Sequence, residues 1–313
     1  MKFAKLLHNP EAGDGHFGKK ELIAMIQAAG FGCSYSSTKD EGWEKFGSKD
    51  TDFLILAGGD GTVRRVSASL LNRKLLERKL PMALLPMGTA NNIAKTLGLS
   101  HQTPEKIVQS WNDLHVKKFD IGRIYGLKKN KFFIESFGVG IFPDLIHEMD
   151  RQSPEDLDTA EKSLEKALEV LHDLIMNANV KFCRIKVDEV EYKGNYLLVE
   201  IMNTTSIGPR LNLAPLADPG DGRFDVVLIS EKQREQFADY VAKKLRGVEQ
   251  VPFFEQLRAR KIELFWDGTK AHVDDQPVRM KRGTTVKVEL LHGLLEFFVT
   301  DQRNGSPELK GKF

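Results

Sequence analysis

Phe53-Leu54-Ile55-Leu56-Ala57-Gly58-Gly59-Asp60-Gly61-Thr62 decides the fold. Its opening residues are an unbroken apolar run, the pattern of a strand buried on both faces. Glycines follow, and a backbone without Cβ atoms can turn sharply and present bare N–H groups. Residues 63–71 then carry helical spacing, so the positive end of a helix dipole lies under the loop. Strand, turn and helix together make a cradle for phosphate with one carboxylate, Asp60, inside it. A carboxylate there suits magnesium, a hard cation that takes oxygen ligands. A tight strand-to-helix turn with no ligand is the plain alternative.

The same texture extends on both sides. Strands are expected over 3–8, 31–36, 53–57 and 82–85, and helices over 16–29, from about 90, and over 103–111. Thr103-Pro104-Glu105 has the cap-then-proline order of a helix start. This alternation argues a parallel, three-layer α/β sheet with ligands at the carboxyl ends of its strands. Gly58-Gly59 and Gly88-Thr89 both fall at such ends. Gly13, Gly18 and Lys19 imitate a P-loop, but Lys20 stands where the magnesium-binding Ser or Thr belongs.

Near residue 115 the pattern changes. Strands are expected over 116–125 and 131–137, a hairpin around 126–130, and then over 180–187, 192–202, 224–229, 261–265, 284–290 and 294–299. Short strands between Gly, Pro and Asp turns indicate an antiparallel sandwich. Two helices interrupt it, over 154–177 and 232–246. The first places Leu157, Leu164, Leu168, Leu171 and Ile175 on one face. Core packing is the expected use of that stripe; a lipid-facing role or a homodimer contact is the alternative. The fold class is therefore α/β plus all-β. An α/β nucleotide domain over 1–115, rejoined by the chain end at 300–313, precedes a β-rich acceptor domain over 116–299.

A chain of 313 residues, 41% of them hydrophobic, can bury the cores of two domains. With 46 basic against 44 acidic side chains it has no polybasic surface, which argues against a nucleic-acid partner. Cys33 and Cys183 make no metal spacing and read as buried thiols of a reducing compartment. The first ten residues lack the apolar length of a signal peptide, and no run approaches the roughly 20 residues of a membrane span. A cytoplasmic protein is expected, one that visits a membrane surface if its substrate is a lipid.

Two blocks carry a resemblance. Gly58-Gly59-Asp60-Gly61-Thr62 and Leu85-Pro86-Met87-Gly88-Thr89-Ala90-Asn91-Asn92 resemble the signatures of the diacylglycerol kinase catalytic-domain superfamily. That superfamily includes soluble bacterial lipid kinases, sphingosine kinases and ceramide kinase; the more distant NAD kinases share the first block. The resemblance implies transfer of the γ-phosphate of ATP, with Mg2+, to a lipid hydroxyl. It implies nucleotide contacts at Asn9, Lys19, Thr38, Gly58, Gly59, Asp60, Gly61, Thr62, Arg64, Gly88, Thr89 and Asn91. A solvated lysine is the alternative for Lys19, and a helix cap or turn residue for Thr38.

Three later blocks extend it. His272-Val273-Asp274-Asp275-Gln276-Pro277-Val278 is similar to the family's Val-Asp-Gly-Glu-Pro, which makes Asp274 the implied base, with Asp60 as its catalytic partner. A polar β-turn is the alternative. The loop Asp218-Pro219-Gly220-Asp221-Gly222-Arg223 resembles one that holds structural magnesium, through the Asp221 carboxylate and the Asp218 and Arg223 carbonyls; a loop without metal is the alternative. Asp144 after Gly138-Val139-Gly140, and Asn203, are implied on the acceptor side, with a helix cap the alternative for Asp144.

The chain also departs from the family. Arg64-Arg65 stands for Asn-Glu, Asp275 for Gly and Gln276 for Glu. Two cations in a first helical turn oppose the dipole, so Arg64 is expected to meet a phosphate or a neighbouring carboxylate. An NAD kinase-like enzyme, or a catalytically weak nucleotide- or lipid-binding protein, are the competing readings.

Overall fold

The computed structural model describes residues 1–12, 17–44, 50–71, 79–99, 102–113, 115–128, 131–153, 159–250 and 254–300. The first half holds β1 (Phe3–His8), α1 (Lys19–Ala28), β2 (Gly32–Ser37), β3 (Phe53–Gly58), α2 (Asp60–Leu71), β4 (Met82–Pro86), α3 (Asn92–Thr96) and α4 (Pro104–Ser110). Its strands are parallel in the order β4-β3-β1-β2. All six residues of β3 are buried, which is why the run tolerates no polar side chain. Phe53 anchors an aromatic cluster, with ring centres 5.6, 6.0 and 5.2 Å from Phe31, Trp111 and Phe298. Burying one such ring stabilises by about 1.5–3 kcal/mol.

The second half holds β5 (His115–Tyr125), β6 (Phe132–Phe133), β7 (Ser136–Gly140), α5 (Phe142–Met149), α6 (Ala160–Asn177), β8 (Lys181–Val187), β9 (Val190–Met202), β10 (Phe224–Ser230), α7 (Arg234–Leu245), β11 (Glu255–Ala259), β12 (Lys261–Trp266), β13 (Lys270–Val273), β14 (Gln276–Arg279) and β15 (Thr284–Val299). Pairing among these strands is antiparallel. The main path runs β14-β13-β7-β9-β8-β12-β15-β4-β3-β1-β2, one hydrogen-bonded network through both halves.

The seam is β15. It lies antiparallel to β5 and β12 and pairs in parallel with β4 through Phe297 and Met82. The sequence reads as two strands here; the structure has one, with a register shift between Leu291 and Leu295 at the left-handed Gly293. Such an irregularity bends a strand without ending it. The return to the first sheet is thus made by β15; residues 301–313 lie outside the described residues.

Residues β11, β13 and β14 are strands that periodicity misses, being only four or five residues long. Helices start later than expected: α1 at Lys19, α3 at Asn92 after a left-handed Asn91, and α7 at Arg234 after the 3-10 turn Glu231–Gln233. On α6, Leu168, Leu171 and Ile175 are buried with Phe142, Phe237 and Phe254 in one apolar cluster, so that stripe is core. Leu157 lies outside the described residues.

Candidate active site

The two glycine turns touch. A Cβ on Gly88 would sit 2.4 Å from the Gly59 Cα, and one on Gly59 would sit 2.9 Å from the Gly88 Cα. Real Cβ atoms do not approach so closely, so backbone packing requires glycine at both. Asn91, at φ +53°, folds back onto its own turn: Oδ1 accepts from Gly88 N at 2.9 Å and Nδ2 donates to Gly88 O at 2.5 Å. Asp60 opens α2 but caps α3, accepting from Asn92 N at 2.8 Å and Ile93 N at 3.0 Å. Burial pushes the Asp60 carboxyl up, against those two amides.

The opposing wall comes from the β13–β14 turn. Asp274 is buried, with φ +52°. Its Oδ1 accepts from Ile134, Glu135 and Ser136 N at 3.1, 2.8 and 3.2 Å, while its own N–H donates to Ser136 O at 2.8 Å. These bonds hold the strained backbone and fix the carboxylate. Burial pushes that carboxyl up to about 6, outweighing the two amides and the Arg64 charge, and Asp275 adds to the rise. Behind it, His272 Nδ1 lies 2.9 Å from Asp274 O and Nε2 lies 2.7 Å from Glu200 Oε1, with both side chains buried. The carbonyl can only accept, so Nδ1 carries a proton.

Glu135 lies between the walls. It accepts from Asn92 Nδ2 at 3.0 Å, and burial followed by the charges of Asp60 and Asp274 raises its carboxyl well above the usual range. Asp275 meets Arg64, whose Nε lies 2.7 Å from its Oδ1. Asp275 is thus the neighbouring carboxylate expected for Arg64. A cleft of about 420 Å³ is lined by Asn9, Gly59, Asp60, Gly61, Thr62, Arg64, Gly88, Thr89 and Asp275. Gly58 lies just behind, where a Cβ would meet Thr62 Oγ1 at 2.4 Å.

The short α3 joins the halves. Asn92 Nδ2 also donates to Gly208 O at 3.2 Å, and Thr96 Oγ1 lies 3.1 Å from Thr205 Oγ1. Arg210, at φ +57°, donates to Thr89 O at 2.7 Å and Ala90 O at 3.1 Å, clamping the second glycine turn from the other half. Glu135 and Arg210 escape the sequence reading. A lone carboxylate in Phe132-Phe133-Ile134-Glu135 was the available signal for the first; Arg210 follows only a Gly-Pro turn.

Several expected residues sit elsewhere. Lys19 rests 4.5 Å from the centre of the Tyr35 ring, a cation–π contact away from the cleft lining. Residues 13–16 of the P-loop imitation lie outside the described residues. Thr38 is buried, giving its N–H to His8 O at 2.8 Å and taking Arg65 Nη2 at 3.0 Å. Asn203, expected to face the acceptor, is instead a buried bracket: its Nδ2 donates to Asp120 O and Ile134 O, both at 2.9 Å. Asp144 pairs with Lys270 on a second cavity of about 330 Å³.

The expected magnesium loop carries its own cations. Lys117 Nζ lies 2.7 Å from Asp218 Oδ1, and Arg258 pairs with the Asp221 carboxylate. Burial alone would raise the Asp218 carboxyl, but Lys117 and the Gly220 amide hold it below its usual value. Arg223 contributes an N–H to Asp221 Oδ1 at 2.9 Å. Both carboxylates of this loop thus meet protein cations. Among the described residues no three His, Cys, Asp or Glu side chains form a metal-ready group.

The comparisons agree with this architecture. Residues 4–124 match the family described as diacylglycerol kinase catalytic domain, and residues 151–274 match the YegS C-terminal NAD kinase beta sandwich-like domain. A diacylglycerol kinase of Bacillus subtilis is 27% identical over 255 residues, covering 79% of this chain and 80% of its own. One of Staphylococcus carnosus is 25% identical over 256 residues, covering 79% and 78%. A crystal structure of a diacylglycerol kinase from Bacillus anthracis superposes with a TM-score of 0.70 at 22% identity, covering 96% of this chain and 97% of that one; it speaks for the fold.

Proposed function

Since the chain belongs to the diacylglycerol kinase catalytic-domain family and is a lipid kinase, we propose that it moves the γ-phosphate of ATP to a lipid hydroxyl in the crevice between Asp60 and Asp274. The observation that carries this reading is the 2.7 Å contact of Arg64 with Asp275. It sets the neighbour of Asp274 against the helix that Asp60 begins.

In this reading the phosphates lie over the touching glycine turns, at the positive end of α2. Backbone N–H groups and Arg64 face them. Asp274 takes the proton of the attacking hydroxyl. Its Oδ1 is committed to three amides, while Oδ2 shares only the Ile134 N–H, at 3.4 Å, and keeps a lone pair for the substrate. A carboxyl near 6 suits a base that works around neutrality. Magnesium, when bound, would neutralise phosphate charge and arrive with the nucleotide, because it takes one or two carboxylates and otherwise phosphate and water oxygens. Asp60 fits that use, since each oxygen keeps a lone pair beyond its cap bond.

The second cavity, with Ile141, Leu197, Tyr196 and Trp266 beside Asp144 and Lys270, suits the acceptor's body. Lys270 begins the strand that leads to Asp274, about 13 Å further on at 3.3 Å per residue. Among the described residues no helix is long and apolar enough to cross a membrane, so the lipid would be met at a surface. The division into a nucleotide domain over 1–115 and an acceptor domain over 116–299 belongs to the same proposal.

The test is a screen with radiolabelled ATP and magnesium against diacylglycerol, sphingoid bases and ceramide in mixed micelles, with NAD as a further acceptor. Label in a lipid is the expected result. Label in NAD alone would assign the chain to the NAD kinase-like reading, and ATP binding without transfer to any acceptor would make it a binding protein.

A further inference from the structure

Arg64 and Asp275 face each other across the cleft, one from each half of the chain. Arg64 Nε lies 2.7 Å from Asp275 Oδ1, and a Cβ on Gly61 would lie 3.1 Å from Asp275 Oδ2. The Asp275 carboxylate therefore rests against the first turn of α2. Arg64 Nε itself is buried, but the two side chains as wholes are 26% and 51% exposed, so a solute in the cleft can reach both residues.

The chemistry makes each residue a liability without the other. Arg64 puts a cation on α2 four residues after Asp60, facing a cleft where it needs an anion. Asp275 puts a carboxylate beside Asp60, Glu135 and Asp274, and its charge makes all three harder to ionise. The two departures from the family pattern, Arg for Asn and Asp for Gly, are thus partners in space. They also share a location: both line the cleft with Gly59, Gly88 and Thr89, where the helix end and bare amides favour an anion. A nucleotide's phosphates carry more charge than one half-exposed carboxylate and accept the same two parallel N–H bonds from a guanidinium fork, so they can take Arg64 from it.

We infer that Asp275 is a tethered competitor for the nucleotide: it pairs with Arg64, and an entering phosphate takes Arg64 from it. Arg64 and Asp275 together set nucleotide affinity. This inference rests on the kinase reading above and adds an affinity-setting pair to it.

The test is a double-mutant cycle read by calorimetry, with magnesium-ATP as the ligand and no lipid present. The native chain, Asp275→Asn, Arg64→Gln and the double variant are compared at one low salt concentration. Asp275→Asn should tighten binding by about fivefold, the upper end of what an exposed ion pair is worth. Arg64→Gln should weaken it. In the Arg64→Gln background, Asp275→Asn should change the constant by less than about twofold, the spread left when the pair is already broken. Tripolyphosphate should follow the same order, which locates the effect at phosphate. Equal tightening in both backgrounds would reduce Asp275 to general repulsion and overturn the inference. Weaker binding in Asp275→Asn would overturn it too, by making the carboxylate a nucleotide holder. A native chain that binds neither ligand removes the kinase reading itself, a result distinct from either. Should Asp275→Asn fail to fold, Asp275→Gly, the family's residue, replaces it.

Discussion

Asp60 Oδ1 accepts the backbone N–H of Ile93 at 3.0 Å, across 33 residues of sequence. The aspartate of the first glycine turn thereby caps the helix that follows the second. Asn91, the residue at that helix's own cap position, offers it no side-chain bond. Asp60→Ala would leave two helix N–H groups without their acceptor. A loss of about 1–3 kcal/mol in urea unfolding is expected, together with weaker nucleotide binding. Asp60→Asn keeps one acceptor oxygen and should fall between the two.

Gly88→Ala tests the contact of the turns. The added methyl would lie 2.4 Å from the Gly59 Cα, and backbone cannot swing aside as a side-chain tip can. Overpacking of this kind costs about 1–3 kcal/mol. Thermal unfolding should show that loss. Nucleotide affinity should fall with it, while Gly247→Ala, on an open turn at φ +74°, should leave affinity unchanged.

Asp274 gives a pH dependence of defined sign. Its carboxyl is held at about 6 in the folded chain by burial, against about 3.9 for an unfolded aspartate. Below about pH 4 both states are protonated and the group is neutral to stability. Between about pH 4 and 6 the unfolded chain releases its proton first, so stability falls as pH rises. Above that window the penalty levels at about 3 kcal/mol. Asp274→Asn removes the charge, so it should raise Tm over the native chain at pH 8 and match it near pH 4. Asp225, also raised to about 6 by burial, contributes a trend that both proteins share. Transfer activity should run the other way, rising with pH through about 6 in the native chain.

Arg210→Ala should loosen the second glycine turn. Its guanidinium makes two bonds to the carbonyls of Thr89 and Ala90 from the other half of the chain. Loss of charge-assisted bonds of this kind costs about 1.5–3 kcal/mol. Faster amide exchange at residues 88–93 is the readout, and Arg210→Lys should rescue it poorly, lacking the fork.

Much of this site was legible in the sequence because its logic is local. Gly59 and Gly88 announce themselves as turns after apolar strands, and β3 needs no partner to be read as buried. What escaped depends on residues far apart. Glu135 matters because it lies between Asp60 and Asp274, and Arg210 because it reaches a carbonyl 121 positions away. The bonds of Asn203 are of the same kind: they run to Asp120 and Ile134, which no spacing rule connects. At the Asp218–Arg223 loop, Lys117 and Arg258 reach the two carboxylates from other strands, which no local motif announces. The two halves of β15 read as separate strands because Gly293 interrupts the alternation without interrupting the pairing.

The proposed transfer depends on Asp274 readying the acceptor alcohol opposite the nucleotide cradle. The most direct measurement is single-turnover phosphate transfer at neutral pH, with magnesium-ATP and a lipid acceptor found by the screen, in the native chain and Asp274→Asn. ATP binding should agree within about twofold between them, while transfer should fall by about 10²–10⁴, the usual worth of a general base. Transfer undiminished in Asp274→Asn would rule out Asp274 as the base.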